Sequence, residues 1–404
     1  MAGYVPGDVI VNQVLITSPR GSLDITQSFN KCKVYESTLV QNNVVELEIL
    51  DQDDAMGQIN FVGDETLQLS FNAPGTPVAN YTFAIDTITA VRGAGTTHSK
   101  LYTLHGVGRE AMMAKTNYIQ KSYNTDISSI VQDIHTTFLK SLNSLAMETT
   151  NGMQKIIIPN IKPFDAIDMV RRRAVSATNP SSTFLYFENY LGHNFKTIEG
   201  LMQQGVVKTF FHQDAVGSSI YENTINNIIS YEAPQIVSST DRIALGGLNQ
   251  TIATYDIRTR KYTSNTMQMN NQGSFGNPGS YNSSAFKALY GLTAGLFSMI
   301  PADSASRPQT NIPTSTPAQL AYLSNLLQTY VNIRVNGDTT VKAGDMVTLN
   351  LPQQISTTGP GNLDLQLSGN YMVSRLCRSI ETTVVHPRYT ESIECISGGL
   401  ANGV

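Results

Sequence analysis

The chain has no tryptophan, only three cysteines and little charge. Asp, Glu, Lys and Arg make up 14% of its 404 residues, against roughly 25% in ordinary soluble proteins. Three cysteines (Cys32, Cys377, Cys395) build no disulfide framework and carry no metal-ligand spacing. A hairpin turning near His386-Pro387 would set Cys377 opposite Cys395, but buried free thiols are the preferred reading. The N-terminus lacks the basic-then-apolar signature of a secretion signal. The longest apolar stretch, Ala288–Ala302, is broken by glycine, threonine and serine and falls short of the roughly 20 residues a membrane span needs. A soluble protein held in a reducing compartment is expected. The net charge of −4 disfavours a nucleic-acid binder, which needs a Lys/Arg stripe against phosphates. The one basic run, Arg171-Arg172-Arg173, falls in an expected helix and reads as a solvated face.

Catalytic signatures are missing as well. There is no His-Glu-x-x-His, no Gly-x-Ser-x-Gly and no Gly-Lys-Ser phosphate loop. The six histidines (His98, His105, His135, His193, His212, His386) are scattered without ligand spacing. His105-Gly106-Val107-Gly108 is only a fragment of a nucleotide loop, since no third glycine follows and no helix is expected to open at once. The best ion candidate is Asp51-Gln52-Asp53-Asp54-Ala55-Met56-Gly57. A helix–loop–helix calcium site needs Gly at its sixth position and Glu at its twelfth; Met56 and Val62 stand there, so an acidic turn is expected. No catalytic, cofactor-binding or metal residue is assigned, no cofactor is implied, and no enzyme is expected.

In place of charge the chain carries Asn, Gln, Ser and Thr, with 18 tyrosines. A partner can bury such a surface without stripping water from many ions, so the composition fits extensive permanent interfaces or an ordinary β-rich protein equally well. Two stretches also read as copies of one β-unit. The first runs Gly63-Asp64, a strand through Leu67, Leu69 and Phe71, Asn80-Tyr81, alternating Phe83 and Ile85, and a last strand at Leu101–Leu104. The second runs Gly344-Asp345, Val347, Leu349 and Leu351, Asn370-Tyr371, Val373 and a last strand at Ile393–Ile396. The loop from Gly344 to Asn370 is longer, at 26 residues against 17 from Gly63 to Asn80. The first strands are one residue out of register, which calls for a bulge.

The expected architecture is mainly β with an α+β insert, built on two similar small antiparallel β-barrels. Residues 1–20 read as an N-terminal arm with short apolar pieces such as Val9-Ile10-Val11. Residues 21–112 form the first barrel, where Val45, Leu47 and Ile49 alternate with Glu46 and Glu48. Residues 113–232 form the insert. In it Asp126 caps a helix through Ile127, Ile130, Val131, Ile134 and Phe138, and Ile156–Ile158 is a short buried strand. Pro163 opens a second helix that Asn179-Pro180 stops. Phe184–Phe187 and Asn194–Lys196 then make a hairpin around Tyr190–His193. Residues 233–262 and 331–398 form the second barrel. Residues 263–330 are a linker loop and a helix, the loop spanning 263–316 and Thr316-Pro317 capping a helix with Leu320, Leu323, Leu327 and Tyr330 on one face. Residues 399–404 are a tail.

Several segments carry a resemblance. Val331–Gly337, Ala343–Leu349 and Ser368–Val373 resemble the last barrel of the central baseplate hub proteins of contractile-tailed bacteriophages, to which the N-terminal half of type VI secretion spikes is related. Ile157–Ile167, Phe184–Asn189, Asn194–Leu201, Ile229–Glu232 and Thr254–Tyr262 are similar to hub segments in the same order. The resemblance spans residues 21–398 and departs at the long Gly- and Asn-rich 263–316 loop. The chain ends at Val404 without a spike domain, as a free-standing hub would. It implies a structural virion protein of the tail baseplate, assembled in the host cytoplasm. Three copies would form a pseudo-sixfold ring that adapts a threefold spike, or needle, to a sixfold tail tube or tube initiator. Wedge proteins would surround that ring and DNA would pass its lumen without specific binding. Glu46–Leu50 and Val331–Val335 would be barrel walls, with Gly63/Asp64 and Gly344/Asp345 as shaping turns. A β-rich carbohydrate-binding or adhesin module and an unrecognised hydrolase are the alternatives.

Overall fold

The computed structural model describes residues 5–51, 56–58, 61–92, 100–179, 183–212, 225–244, 249–256, 260–268, 295–302, 319–320, 322–324, 326, 328–352, 363–382 and 387–398. The N-terminal strands are β1 (Ile10–Ser18), β2 (Gly21–Asp24), β3 (Phe29–Ser37), β4 (Val44–Asp51), β5 (Thr66–Asn72), β6 (Ala79–Arg92) and β7 (Lys100–Gly108). Next come α1 (Arg109–Thr116), β8 (Ile119–Thr125), α2 (Ile127–Asp133), β9 (Leu145–Met147), β10 (Gln154–Ile161) and α3 (Pro163–Arg171). They are followed by β11 (Phe184–Asn189), β12 (Gly192–Thr197), α4 (Ile198–Met202), β13 (Val206–Phe211), β14 (Ile228–Gln235) and α5 (Ser239–Ala244). The last strands are β15 (Asn249–Asp256), β16 (Lys261–Gln268), β17 (Gly295–Ala302), β18 (Thr329–Asn336), β19 (Met346–Asn350), β20 (Gly369–Glu381) and β21 (Arg388–Ser397).

A 13-stranded sheet joins the two ends of the chain in the order β14-β18-β21-β20-β3-β4-β7-β6-β5-β1-β2, with β19 on β20 and β13 on β19. Its halves repeat one another. The first runs β3-β4-β7-β6-β5-β1 and the second β14-β18-β21-β20-β19-β13. They differ at the outermost step, where β1 is antiparallel to β5 but β13 is parallel to β19. In each half one long strand, β6 with 14 residues or β20 with 13, bends at a bulge. The ladders shift between Ile85 and Thr87 and between Val373 and Arg375, because an extra residue there turns the strand away from its short neighbour. Superposing the two bulges along the ladders sets Val45, Leu47 and Ile49 on Val331, Ile333 and Val335, all buried. The repeat read from the sequence is thus a repeat of topology. The bulge lies on the far side of the long strand, however, since the β5–β6 and β19–β20 ladders are unbroken. Tyr81 faces Leu69 whereas Tyr371 faces Val347, so strand length absorbs the offset.

Alternation places one face of each strand in a core and leaves the other open. The first core gathers Val14, Ile16, Val34, Leu47, Leu69, Phe71 and Phe83; the second gathers Val331, Ile333, Val347, Leu349, Tyr371 and Ile393. The insert has its own core, in which Ile130, Ile134, Ile158, Ile167, Val170 and Phe195 pack between the β8–β10 pair, the β9–β12–β11 sheet and helices α2 and α3. Asp126 caps α2 by accepting from Ser129 N at 2.9 Å, and α2 runs on through a π-helical turn at Ile134–Phe138. Fully burying each such aliphatic side chain is worth about 1.5–3 kcal/mol, so every core is substantial.

Several expectations change. The N-terminal arm is in part a strand: β1 buries Val14 and Ile16 and pairs with β5, an alternation hidden among polar neighbours. Residues 249–268 do not extend the large sheet. β15 and β16 form a hairpin that joins β17 in a separate three-stranded sheet, with β15 parallel to β17. The alternation of Thr and Tyr there specified a strand but not its partner. The 263–316 segment is therefore not one loop, since 263–268 and 295–302 are strands; 269–294 and 303–316 lie outside the described residues. Tyr330 belongs to β18 and not to the preceding helix, which covers Gln319, Leu320, Tyr322–Ser324 and Leu326, while Thr316, Pro317 and Leu327 lie outside the described residues. Ile156 and Ile158 are buried but Ile157 is exposed, so β10 is covered on one face only. Cys377 faces Ser392, and Cys395 faces Val373, because the ladder that starts at Glu381↔Arg388 is three residues out of step with a Cys377–Cys395 pairing. All three cysteines are free thiols.

Candidate functional site

The symmetry of the two halves also breaks at the junction between them. Beyond its bulge, β20 pairs on one side with β21 and on the other with β3, from Arg375↔Ser37 to Glu381↔Lys31. The matching stretch of β6, Thr87–Arg92, pairs only with β7 among the described residues. The counterpart of β3 is β14, which among the described residues pairs only with β18. So, among the described residues, the link that exists once inside the chain is left as two open edges at its other occurrence. β14 carries Pro234, which has no N–H to give, and exposes Ile229 at 42%. A proline is tolerated on a strand with an unpaired side.

The face turned from the cores carries charges of both signs, several of which are paired. Lys31 meets Glu381 at 2.5 Å, Lys33 meets Glu46 at 3.7 Å and Arg375 meets Glu394 at 3.4 Å. These pairs are partly exposed and add little stability, typically below about 1 kcal/mol each; their effect is to leave this face nearly neutral.

The internal junction is held by buried charge. Glu36 on β3 accepts from Tyr81 Oη at 2.7 Å, Tyr190 N at 3.2 Å and Ala343 N at 3.1 Å. Arg378 on β20 donates to Glu391 at 2.9 Å, Tyr389 Oη at 3.0 Å and Val341 O at 2.6 Å. One carboxylate therefore touches the first half, the insert hairpin and the second half.

The positive-φ turns fall where expected. Gly63 (φ 97°) and Gly344 (φ 91°) stand before β5 and β19. A Cβ on Gly344 would lie 2.9 Å from Phe187 Cζ, whereas Gly63 faces open space. Gly106 and Gly108 serve packing: a Cβ would meet Val45 Cγ1 at 2.7 Å or Glu188 Oε2 at 2.9 Å. A helix does open directly after Gly108, as α1, contrary to expectation. Asp51 closes β4 and accepts from Met56 N at 3.0 Å; residues 52–55 lie outside the described residues. Arg171 is tied to Asp168 at 2.6 Å, and Arg172 and Arg173 are exposed.

The histidines are not all scattered in space. His105 is exposed on the open face of β7, and His98 and His386 lie outside the described residues. His212 Nδ1 lies 3.0 Å from Ile228 O. His135 and His193 meet at 5.0 Å between ring centroids, deep in the insert. His135 is engaged by Tyr186 Oη at 3.0 Å and Asn143 O at 3.1 Å. His193 has a partner on neither ring nitrogen. It sits with Glu110 and Glu188, one donor atom of each lying within 4.8 Å of the others, and all three are buried. Burial pushes the Glu188 carboxyl up to about 8, Asn43 N–H opposing and Glu110 adding, and drives the His193 imidazole down to about 3, with His135 adding. Spacing in sequence gave no sign of this cluster, because its members come from a helix start and two strands of a hairpin.

No family model matches the chain, and no curated protein matches it in sequence. Solved structures do. The tail protein from Neisseria meningitidis MC58 aligns over 97% of this chain and 99% of its own, with TM-score 0.61 and 10% identity. The 43 kDa tail protein of prophage MuSo2 from Shewanella oneidensis aligns over 96% and 98%, with TM-score 0.57 and 9% identity. A chain of the lidless PdpA–VgrG complex aligns over 98% of this chain and 66% of its own, with TM-score 0.50 and 10% identity. The chain thus has the mainly β fold of phage tail proteins over nearly its whole length, and the resemblance read from its sequence segments holds at the level of the fold. Among the described residues no helix is long and apolar enough to cross a membrane.

Proposed function

We propose that this chain is a structural hub of a contractile phage baseplate, acting as a homotrimer. The observation that carries the reading is the unmatched junction. Each copy has two similar half-sheets, one β20–β3 link between them, and, among the described residues, the two edges of a second such link left open. A head-to-tail contact of this kind closes when the rotation per copy is a fraction of a full turn. Three copies then give six similar barrels in a ring. Carrying over the register of Ser379↔Lys33 sets Val91 on β6 against Glu232 on β14 of the next copy. Main-chain hydrogen bonds supply the affinity in such β-augmentation.

A ring of six similar faces fits a sixfold tail tube on one side, while its true threefold symmetry fits a trimeric spike on the other. Wedge proteins would dock on its outer rim. With the open sheet face turned to the lumen, its ion pairs leave few free cations to hold a passing DNA, whose binding depends on phosphate neutralisation. The role is structural and non-enzymatic, within the virion tail, with assembly in the host cytoplasm.

Static light scattering on purified protein tests this. A native mass three times the 44.0 kDa chain, and imaging that shows a ring with six lobes, is the expected result. A monomer that stays monomeric with a cognate spike protein would overturn it. A carbohydrate-binding reading has one feature in its favour: Tyr255 and Tyr262 face each other across β15 and β16, both exposed. A glycan array tests that reading, and binding lost on changing both tyrosines to alanine would support it.

A further inference from the structure

Nothing in the hub reading calls on the Glu110–Glu188–His193 cluster. We propose that it binds one divalent first-row metal ion, of which zinc is the representative, through one oxygen of each carboxylate and one imidazole nitrogen. The three donors lie within 4.8 Å of one another. A zinc ion with bonds of about 2.0–2.2 Å needs donors roughly 3.3 Å apart, so small rotamer shifts close the shell.

Three features of the site point to a cation. His193 is 1% exposed and neither ring nitrogen has a hydrogen-bond partner. An unpaired buried polar group costs about 1–3 kcal/mol, a cost that coordination removes. Secondly, two carboxylates share a buried site where the nearest groups are neutral. Glu188 accepts from Asn43 N at 2.8 Å and Asn143 Nδ2 at 3.2 Å, and Glu110 accepts from Ser141 Oγ at 2.5 Å. No lysine or arginine pairs with either carboxylate among the described residues, and a dication balances two negative charges with nothing left over. Thirdly, these hydrogen bonds fix the carboxylates from outside, as partners of metal ligands do. His135 is not a donor, because Tyr186 and Asn143 already occupy both of its nitrogens.

Space is kept at the site as well. Gly108 has no Cβ to crowd Glu188, and a cavity of about 250 Å³ lined by Asn43, Asn143, Glu188 and Gly192 abuts it. The mixed nitrogen–oxygen set disfavours calcium and magnesium, which take oxygen, and copper(I), which takes sulfur. Glu110 lies in the first turn of α1, directly after β7, while Glu188 and His193 face each other across the β11–β12 hairpin. A bound ion would therefore staple the first half of the large sheet to the insert.

The test is metal content of the full chain, stripped with chelator, reloaded with zinc and desalted. The expected result is one zinc ion per chain, a midpoint of thermal unfolding that rises with zinc concentration, and visible absorption bands on loading with cobalt instead. Glu188→Gln, which preserves shape, and His193→Asn should lose the ion, the bands and the thermal shift, while His105→Ala on the open face keeps them. Should His193→Asn fail to fold, Glu188→Gln alone decides. A folded wild type that takes up no more zinc than Glu188→Gln would overturn the proposal and leave the cluster as a carboxylic acid held neutral beside an idle imidazole.

Discussion

Glu36 and Arg378 lie 3.8 Å apart with both side chains fully buried, and they join the first strand of one half-sheet to the long strand of the other. Without Glu36 the Arg378 guanidinium still pairs with Glu391 at 2.9 Å, but three donors lose their acceptor, and orphaned buried groups at about 1–3 kcal/mol each sum to roughly 3–5 kcal/mol after partial relaxation. Glu36→Ala should fall in that range, since Tyr81 Oη, Tyr190 N and Ala343 N lose their acceptor at the same time. Denaturant titration of the monomeric state checks this. A loss below about 1 kcal/mol would mean that water enters the junction and replaces the carboxylate.

The two shaping glycines should differ. Gly63→Ala meets only the backbone penalty of a positive φ, about 1 kcal/mol. Gly344→Ala adds a clash with Phe187 Cζ at 2.9 Å, and overpacking costs a further 1–3 kcal/mol or so. Thermal melts of the two variants should separate by several degrees, Gly344→Ala being the lower.

Stability should depend on Glu199. Its side chain is buried at the start of α4, and burial pushes its carboxyl from 4.5 up to about 7. The protonated form is favoured by folding, so the contribution is complete below about pH 4.5 and is lost as pH rises to about 7. The slope integrates to at most about 3 kcal/mol. Comparing unfolding free energies of wild type and Glu199→Gln from pH 4 to 8 checks it: the difference should vanish from the variant's own profile, which stays flatter across this window.

Edge prolines should separate assembly from folding. Along β6 successive N–H groups point alternately toward β7 and toward the open side. Of Thr89→Pro and Ala90→Pro, one therefore breaks the β6–β7 ladder and destabilises the chain. The other removes a donor needed only by a neighbouring copy, leaving the melt nearly unchanged while the native mass drops to that of a monomer. If neither variant alters the mass, β6 is not the contact.

Thiol chemistry reads the open face. Cys32 and Cys395 are buried, with burial pushing the Cys32 thiol up to about 12 and Cys395 higher still, whereas Cys377 is half-exposed. A maleimide should modify one thiol per folded chain and three after denaturation. In a ring whose lumen is too narrow for a bulky reagent, the Cys377 reaction should slow in the assembled form.

Much of the architecture was legible because period-2 alternation is a local signal. Val45, Leu47 and Ile49 announced a wall strand, and Asp126 and Pro163 announced helix starts, all within a few residues. Partnering was less legible. The Thr/Tyr alternation of β15 and β16 does not tell that these strands leave the large sheet, and the short apolar pieces of β1 look like those of an arm. The register of β20 on β21 depended on one extra residue at Ser374, which no local pattern marks. The Glu110–Glu188–His193 cluster was illegible for a stronger reason: it exists only once α1 and the β11–β12 hairpin have met.

The pairing of β3 with β20 also sets the order in which the molecule can be finished. Lys31 and Glu381 are 350 residues apart, so β3 leaves the ribosome long before the strand that covers it. Until then the first half-sheet presents a bare β3 edge. A β20 from another chain would fit it as well as the chain's own. Slow or stalled synthesis near the C-terminus should therefore yield strand-exchanged oligomers, and rapid completion of the final strands is what keeps each chain closed on itself.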